Sequence, residues 1–360
     1  MVAFTPIGQG LTSRDNNLNL IRAVAATAVL VSHAWPIALG AGTPEPLDVL
    51  LGHSLGYIAV MVFFAASGFL ITASFQRRPS LMAFARARAA RLLPGLAVSV
   101  LLVALLMGPA VTTLPLAAYL TDPGTWTFIL RNITLAKVQY DLPGVFSANP
   151  YPSVEGSLWT LIYEVLCYAG VAVAGLLGLL RRRGAGTAAL LAWIALGAGS
   201  RAAGVTTVYQ LDQLLFLSQP FAAGMILCLW RDRAPRSLWV LAALIAVTWA
   251  LGATRLYDLS LILTIAYATI LFAGWPAGAV RAYNRIGDFS YGIYIYAFPV
   301  QGLAVWAFGG ISPWANIALS FPPTLVLAVL SWHLIERPAL AWGRSGPEAL
   351  RDSQPAGIKT

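Results

Sequence analysis

His33 and Glu164 stand inside long apolar runs of the chain. An imidazole and a carboxylate in such surroundings are the groups that general acid–base chemistry uses. His33 follows Arg22 by eleven residues. Eleven steps of 100° return to almost the same face of a helix, so the two share one stripe about 16 Å apart. Glu164 lies about seven residues into the run that begins at Ser157, roughly 10 Å from that end and at a depth similar to that of His33. A carboxylate at matching depth can orient an imidazole and stabilise its protonated form, as in triad chemistry. Each residue also has a plainer reading as a hydrogen-bonding contact between helices, although an intramembrane ionisable group is a functional candidate by default.

A third cluster is basic, running from Phe84 through Arg86, Arg88 and Arg91 to Pro94. Arg88 and Arg91 are three apart and share a helix face. Positive charge resting on anionic lipid accounts for them. A second reading is a clamp for a phosphate-bearing donor, since guanidinium groups bind phosphate oxygens bidentately.

The elements that must position these groups are membrane helices. The 360 residues are 58% hydrophobic and only 10% charged, and mean hydropathy is +0.73. Soluble domains carry about a quarter charged residues. The apolar stretches recur along the whole length, and each is about the ~20 residues that cross a bilayer. Twelve tryptophans and thirteen tyrosines fit the aromatic belts of membrane interfaces. The net charge of +9 does not point to nucleic acid, because most arginines punctuate the ends of apolar segments. Cys167 and Cys228 both fall in apolar runs and form no metal-binding or disulfide spacing.

The expected fold is all-α and polytopic, with about ten transmembrane helices: 19–39, 56–76, 94–114, 157–180, 185–201, 210–230, 237–254, 258–276, 288–308 and 317–336. With both termini cytoplasmic, nineteen of the 23 Lys and Arg residues lie inside. Only Arg131, Lys137, Arg201 and Arg255 lie outside, which is a strong positive-inside bias. The long polar start with Asp15, and His33 within the first apolar run, argue against a cleaved signal peptide. The main non-spanning stretches are an external loop of about 115–156, a cytoplasmic stretch of about 77–93 and a flexible tail. No internal repeat marks the inverted halves of a transporter.

Taken together, these residues resemble acyltransferase family 3. Arg22 and His33 match its arginine, ten residues, histidine signature. Gly56–Ile71 resembles its second-helix motif ending Phe-Phe-x-x-Ser-Gly-Phe, and Arg88, Arg91 and Pro94 resemble its cytoplasmic basic motif. Ser157–Glu164 is similar to its Ser-Leu-Trp…Glu block, and Ser290–Tyr296 and Glu336-Arg337-Pro338 also resemble family motifs. Three positions depart from the family pattern. Asn19 stands where many relatives are acidic, Ala59 where glycine is frequent, and Ala297 where some carry a second histidine.

The resemblance implies one transmembrane acyltransferase domain over 1–340, a cytoplasmic tail over 341–360 and no fused extracytoplasmic domain. It places the protein in a bacterial inner membrane as a multi-pass enzyme. The implied reaction moves an acyl group, most often acetyl from acetyl-CoA, onto a carbohydrate hydroxyl of a glycan or glycolipid. His33 would be the general base or carry an acyl-enzyme, and Glu164 would position it. Arg22, Arg88 and Arg91 would bind the acyl-CoA donor, and no metal is expected. The alternative from another class is a transporter or flippase for a lipid-linked sugar, in which His33 and Glu164 serve gating or proton relay.

Overall fold

The computed structural model describes residues 4–11, 15–205 and 208–344. From residue 345 onward the expected tail lies outside the described residues, as does Arg14. Among the described residues the regular structure is helical, with one isolated bridge between Pro6 and Pro235.

Each apolar segment marked in the sequence falls on a helix. The long helices are α1 (Leu18–Leu39), α2 (Leu55–Arg77), α3 (Leu81–Val111), α4 (Leu158–Leu176), α5 (Arg183–Ala202), α6 (Tyr209–Leu229), α7 (Leu238–Ala250), α8 (Tyr257–Gly274), α9 (Ser290–Phe308) and α10 (Pro313–Gly343). By length and composition, 7 of them are able to cross a membrane: α1 to α4, α6, α8 and α10.

The other three depart for separate reasons. α7 has 13 residues, about 20 Å of helix. α5 is rich in glycine and alanine and carries an arginine at each end. α9 is polar for a membrane helix because it faces protein rather than lipid: Tyr291, Tyr294, Tyr296 and Gln301 are all buried.

α3 begins earlier than the segment expected over 94–114. Ser80 Oγ accepts from the Ala83 amide at 3.4 Å and caps its start. The alanine- and arginine-rich stretch that follows has high helix propensity. Arg88 and Arg91 therefore ride on the same continuous helix that enters the apolar region, not on a separate cytoplasmic element. The loop over 115–156 also carries structure, with helices at Leu116–Thr121 and Pro123–Thr134. It packs back on the bundle: Tyr119 donates to the Ala104 carbonyl at 2.7 Å, and Asn149 donates to the Gly302 carbonyl at 2.9 Å.

Small residues let helix backbones meet where polar contacts would otherwise be stranded. A Cβ on Gly68 of α2 would lie 2.0 Å from the Phe221 carbonyl oxygen of α6. A Cβ on Gly224 of α6 would lie 2.1 Å from the Ala65 carbonyl oxygen of α2. The two glycines thus seal α2 against α6 reciprocally. Gly292 does the same for α9 and α10, where a Cβ would stand 2.6 Å from Ala328 Cα.

Candidate active site

His33 lies on α1 six residues before the helix ends at Leu39. It is half-buried, and its ring meets Phe298 of α9 edge-on, with centroids 5.3 Å apart and planes at 78°. Gly156 holds Phe298 from the other side, since a Cβ there would lie 2.1 Å from Phe298 Cε2. Nδ1 of His33 is buried and has no hydrogen-bond partner among the described residues. The ring lines a cavity of about 350 Å³ whose other walls include Tyr57 of α2, Trp159 and Thr160 of α4, Phe216 of α6 and Tyr294 of α9. Close approach of α1 and α2 beside this histidine depends on Gly56, whose Cβ would stand 2.8 Å from Ser32 Oγ.

The end of this cavity is polar. Glu45, Asp48, Thr43 and Ser54, from the connection between α1 and α2, also line it. Glu45 is buried, accepts from the Leu55 amide at the start of α2 and is hydrogen-bonded by Ser32. Burial raises its carboxyl above the ordinary carboxylate value, the Ser32 hydrogen bond opposes that shift, and the charge of Asp48 adds to it.

A second, smaller cavity of about 40 Å³ adjoins the first. Val60, Thr160 and Tyr294 line both. Arg22 and Glu164 line only the second. The partition is a hydrogen-bonded post: the Tyr294 hydroxyl donates to the Ser157 carbonyl at 2.7 Å and lies 2.5 Å from Thr160 Oγ1. Arg22 and His33, on one stripe of α1, thus face two neighbouring compartments.

Glu164 does not pair with His33. Its Oε1 accepts from Ser67 Oγ at 2.9 Å and from the Tyr168 hydroxyl at 2.5 Å. Matching depth brings the two residues to adjoining cavities, while the rotation of α4 turns the carboxylate toward α2 and along its own helix.

Of the three arginines, Arg22 and Arg91 converge on one acid and Arg88 stands apart. Arg91 is almost enclosed: it binds Asp288 Oδ2 at 2.7 Å and Glu336 Oε2 at 3.0 Å, and its guanidinium lies 5.5 Å from the Tyr291 ring centroid. Arg22 binds the same Asp288 oxygen at 3.0 Å. Ser290 Oγ donates to the other Asp288 oxygen at 2.6 Å, and Ser331 donates to Glu336 at 3.0 Å. Two arginines and two acids thus tie α1, α3 and α10 to the start of α9. Arg88 makes no ion pair among the described residues, and its Nε is buried without a partner. Its guanidinium lies 5.9 Å from the Tyr168 ring centroid and 6.0 Å from that of Phe84.

Sequence reading missed Asp288, and it gave Glu336 no role although the Glu-Arg-Pro triplet was noted. Asp288 carried a usable signal, a lone acid at the head of an apolar segment two residues before Ser290-Tyr291-Gly292. Glu155 was missed too. It is fully buried before α4, neither carboxylate oxygen is bonded among the described residues, and burial pushes its carboxyl well above the ordinary value. Among the described residues no group of three or more His, Cys, Asp or Glu is placed to hold a metal ion.

Comparison with known proteins identifies the family. The acyltransferase domain model of acyltransferase family 3 matches residues 15–333. The O-acetyl transferase of Shigella phage Sf6 is 30% identical over 352 residues, covering 94% of this chain and 99% of the relative. Nodulation protein 10 of Rhizobium leguminosarum bv. viciae is 29% identical over 366 residues, covering 93% of this chain and 96% of the relative. No solved structure matches the chain. The match spans the histidine, both cavities and the shared aspartate, and the chain belongs to acyltransferase family 3 as a membrane-bound O-acyltransferase.

Proposed function

We propose that the protein transfers an acyl group, acetyl from acetyl-CoA, onto a carbohydrate hydroxyl of a cell-surface or exported glycan in a bacterial inner membrane, with both its termini cytoplasmic. The observation that carries this reading is the pair of adjoining cavities, one lined by Arg22 and the other by His33, on a single stripe of α1. The relative from Shigella phage Sf6, an O-acetyl transferase by name, supports acetyl as the group moved.

In this reading the donor enters from the end of the bundle that holds the ion network. Arg88, which of these three arginines makes no ion pair among the described residues, contacts donor phosphate, while Arg22 and Arg91 hold the floor of the path through Asp288. The acceptor hydroxyl meets His33 in the larger cavity. His33 takes the hydroxyl proton as the oxygen attacks the thioester carbonyl, the new C–O bond forms, and the C–S bond breaks. The CoA thiolate leaves and recovers the proton from His33. Glu164 acts at one remove, fixing α4 through Ser67 and Tyr168 so that Thr160 and Tyr294 stand where the acyl group passes.

The test is incorporation of labelled acetyl from acetyl-CoA into glycan by membranes holding the wild type or His33→Ala at equal expression. Loss of the label in the variant is expected, with mass spectrometry showing the acetyl ester on the wild-type glycan. Unchanged incorporation would overturn the assignment of His33.

A further inference from the structure

The larger cavity has a charge character that bears on which sugars enter it. Its ionisable lining is His33, Glu45, Asp48, Tyr57 and Tyr294, with no lysine or arginine, and Ser32, Thr43, Ser54 and Thr160 add hydroxyls. Glu45 is committed to the Leu55 amide and Ser32. Asp48 is half-buried and makes no side-chain hydrogen bond or ion pair among the described residues. The Tyr57 hydroxyl is buried and lacks a partner in the same lining. Arg201 does not neutralise the site, because it binds Asp258 at 2.9 Å and lies 4.3 Å from the Phe216 ring centroid. His33 and Tyr57 thus share one cavity lining with an uncommitted carboxylate, that of Asp48. Such a set suits a ligand that offers hydroxyl or ammonium donors. It repels an anion, which would meet like charge and lose its hydration without a counter-ion.

We propose that the sugar unit bound in this cavity is uncharged or amine-bearing, and that Asp48, backed by Glu45, excludes uronates and sulfated or phosphorylated sugars. This inference rests on the transfer to carbohydrate proposed above. Trp159 supplies an apolar face for the ring, and Asp48 acts as a specificity determinant at the polar end.

The experiment uses wild-type, Asp48→Asn and Asp48→Lys membranes with labelled acetyl-CoA. The acceptors are three oligosaccharides alike except for a terminal glucose, glucosamine or glucuronate. In the wild type, kcat/KM for the glucose and glucosamine acceptors should exceed that for the glucuronate acceptor at least about tenfold, the scale of one like charge at close range in a partly screened site. Asp48→Asn should narrow that ratio severalfold, and Asp48→Lys should narrow it further or reverse it. Extraction as a monodisperse protein verifies that each variant folds, and Asp48→Asn alone is sufficient if the lysine variant does not. Equal or better use of glucuronate by the wild type, or a ratio that Asp48→Asn leaves unchanged, would overturn the inference while leaving acyl transfer to sugar intact. No transfer to any of the three acceptors would instead overturn the carbohydrate reading, and the inference with it.

Discussion

Tyr168 donates its hydroxyl hydrogen to Glu164 Oε1 at 2.5 Å, one turn away on the same helix, and Ser67 of α2 donates to the same oxygen. The carboxylate is therefore a helix-to-helix brace rather than the direct partner of His33. A glutamine at this position still offers a carbonyl oxygen to both donors. Glu164→Gln should lower kcat by about tenfold, whereas His33→Ala should lower it by about 10²–10⁴, the range for loss of a general base. Rates normalised to protein in the membrane separate the two. Equal losses would restore direct coupling between the residues.

Asp288 carries two guanidinium groups on one oxygen, from Arg22 and Arg91, and its side chain is 10% exposed. Removing one member of a buried ion pair leaves uncompensated charge and costs about 3–5 kcal/mol. Asp288→Asn should lower the thermal midpoint of the detergent-extracted protein by several degrees and reduce its yield. Size-exclusion profiles after heating steps measure this directly. A midpoint equal to the wild type would show that the network contributes nothing to the fold.

The basic pair divides between two surroundings, Arg91 within an ion network and Arg88 without an ion pair among the described residues. Arg88→Ala should raise the KM for acetyl-CoA by about tenfold, the value of one charge-assisted hydrogen bond to phosphate, with the acceptor KM unchanged. Arg91→Ala should act mainly on stability and yield, because Asp288 and Glu336 lose their shared cation. Thermal midpoints and donor titrations on both single variants provide the comparison. A donor KM that moves only in Arg91→Ala would exchange the assignments.

Glu155 gives the protein a pH dependence whose sign follows from burial. Desolvation raises its carboxyl in the folded chain well above the ordinary value of 4.5. Between that ordinary value and the raised one, the folded state keeps a proton that the unfolded state has lost. Stability is therefore greatest below the unfolded value and falls as pH rises, by up to about 1.4 kcal/mol per pH unit from this group. Glu155→Gln should remove that slope and raise the thermal midpoint at pH 8 more than at pH 5. Parallel pH profiles for the two proteins would show that Glu155 is not buried in its neutral form.

The flippase alternative loses its ground to family membership, since the match covers residues 15–333 and includes both intramembrane residues on which that alternative rested.

Much of the fold was legible because apolar length is a local property of the chain. The ten segments fall on helices, and the arginine-to-histidine spacing of α1 set both the shared face and the separation of Arg22 and His33. Depth was legible too, which is why Glu164 lines a cavity next to that of His33. Local periodicity gives a residue's height and face, but not how a helix is turned about its axis against its neighbours. That rotation, which for α4 goes with the close approach of Gly175 to Phe75 of α2, directs Glu164 to Ser67, while Tyr168 meets it along its own helix. Pairings across hundreds of residues lay beyond any spacing rule. Asp288 meets Arg22 across 266 positions, and Glu336 meets Arg91 across 245. The sequence by itself determined a helical membrane enzyme with a histidine inside it. Only tertiary packing decided which charges neutralise one another and which, at Arg88 and Asp48, remain open, because each pairing depends on helices brought together from distant parts of the chain.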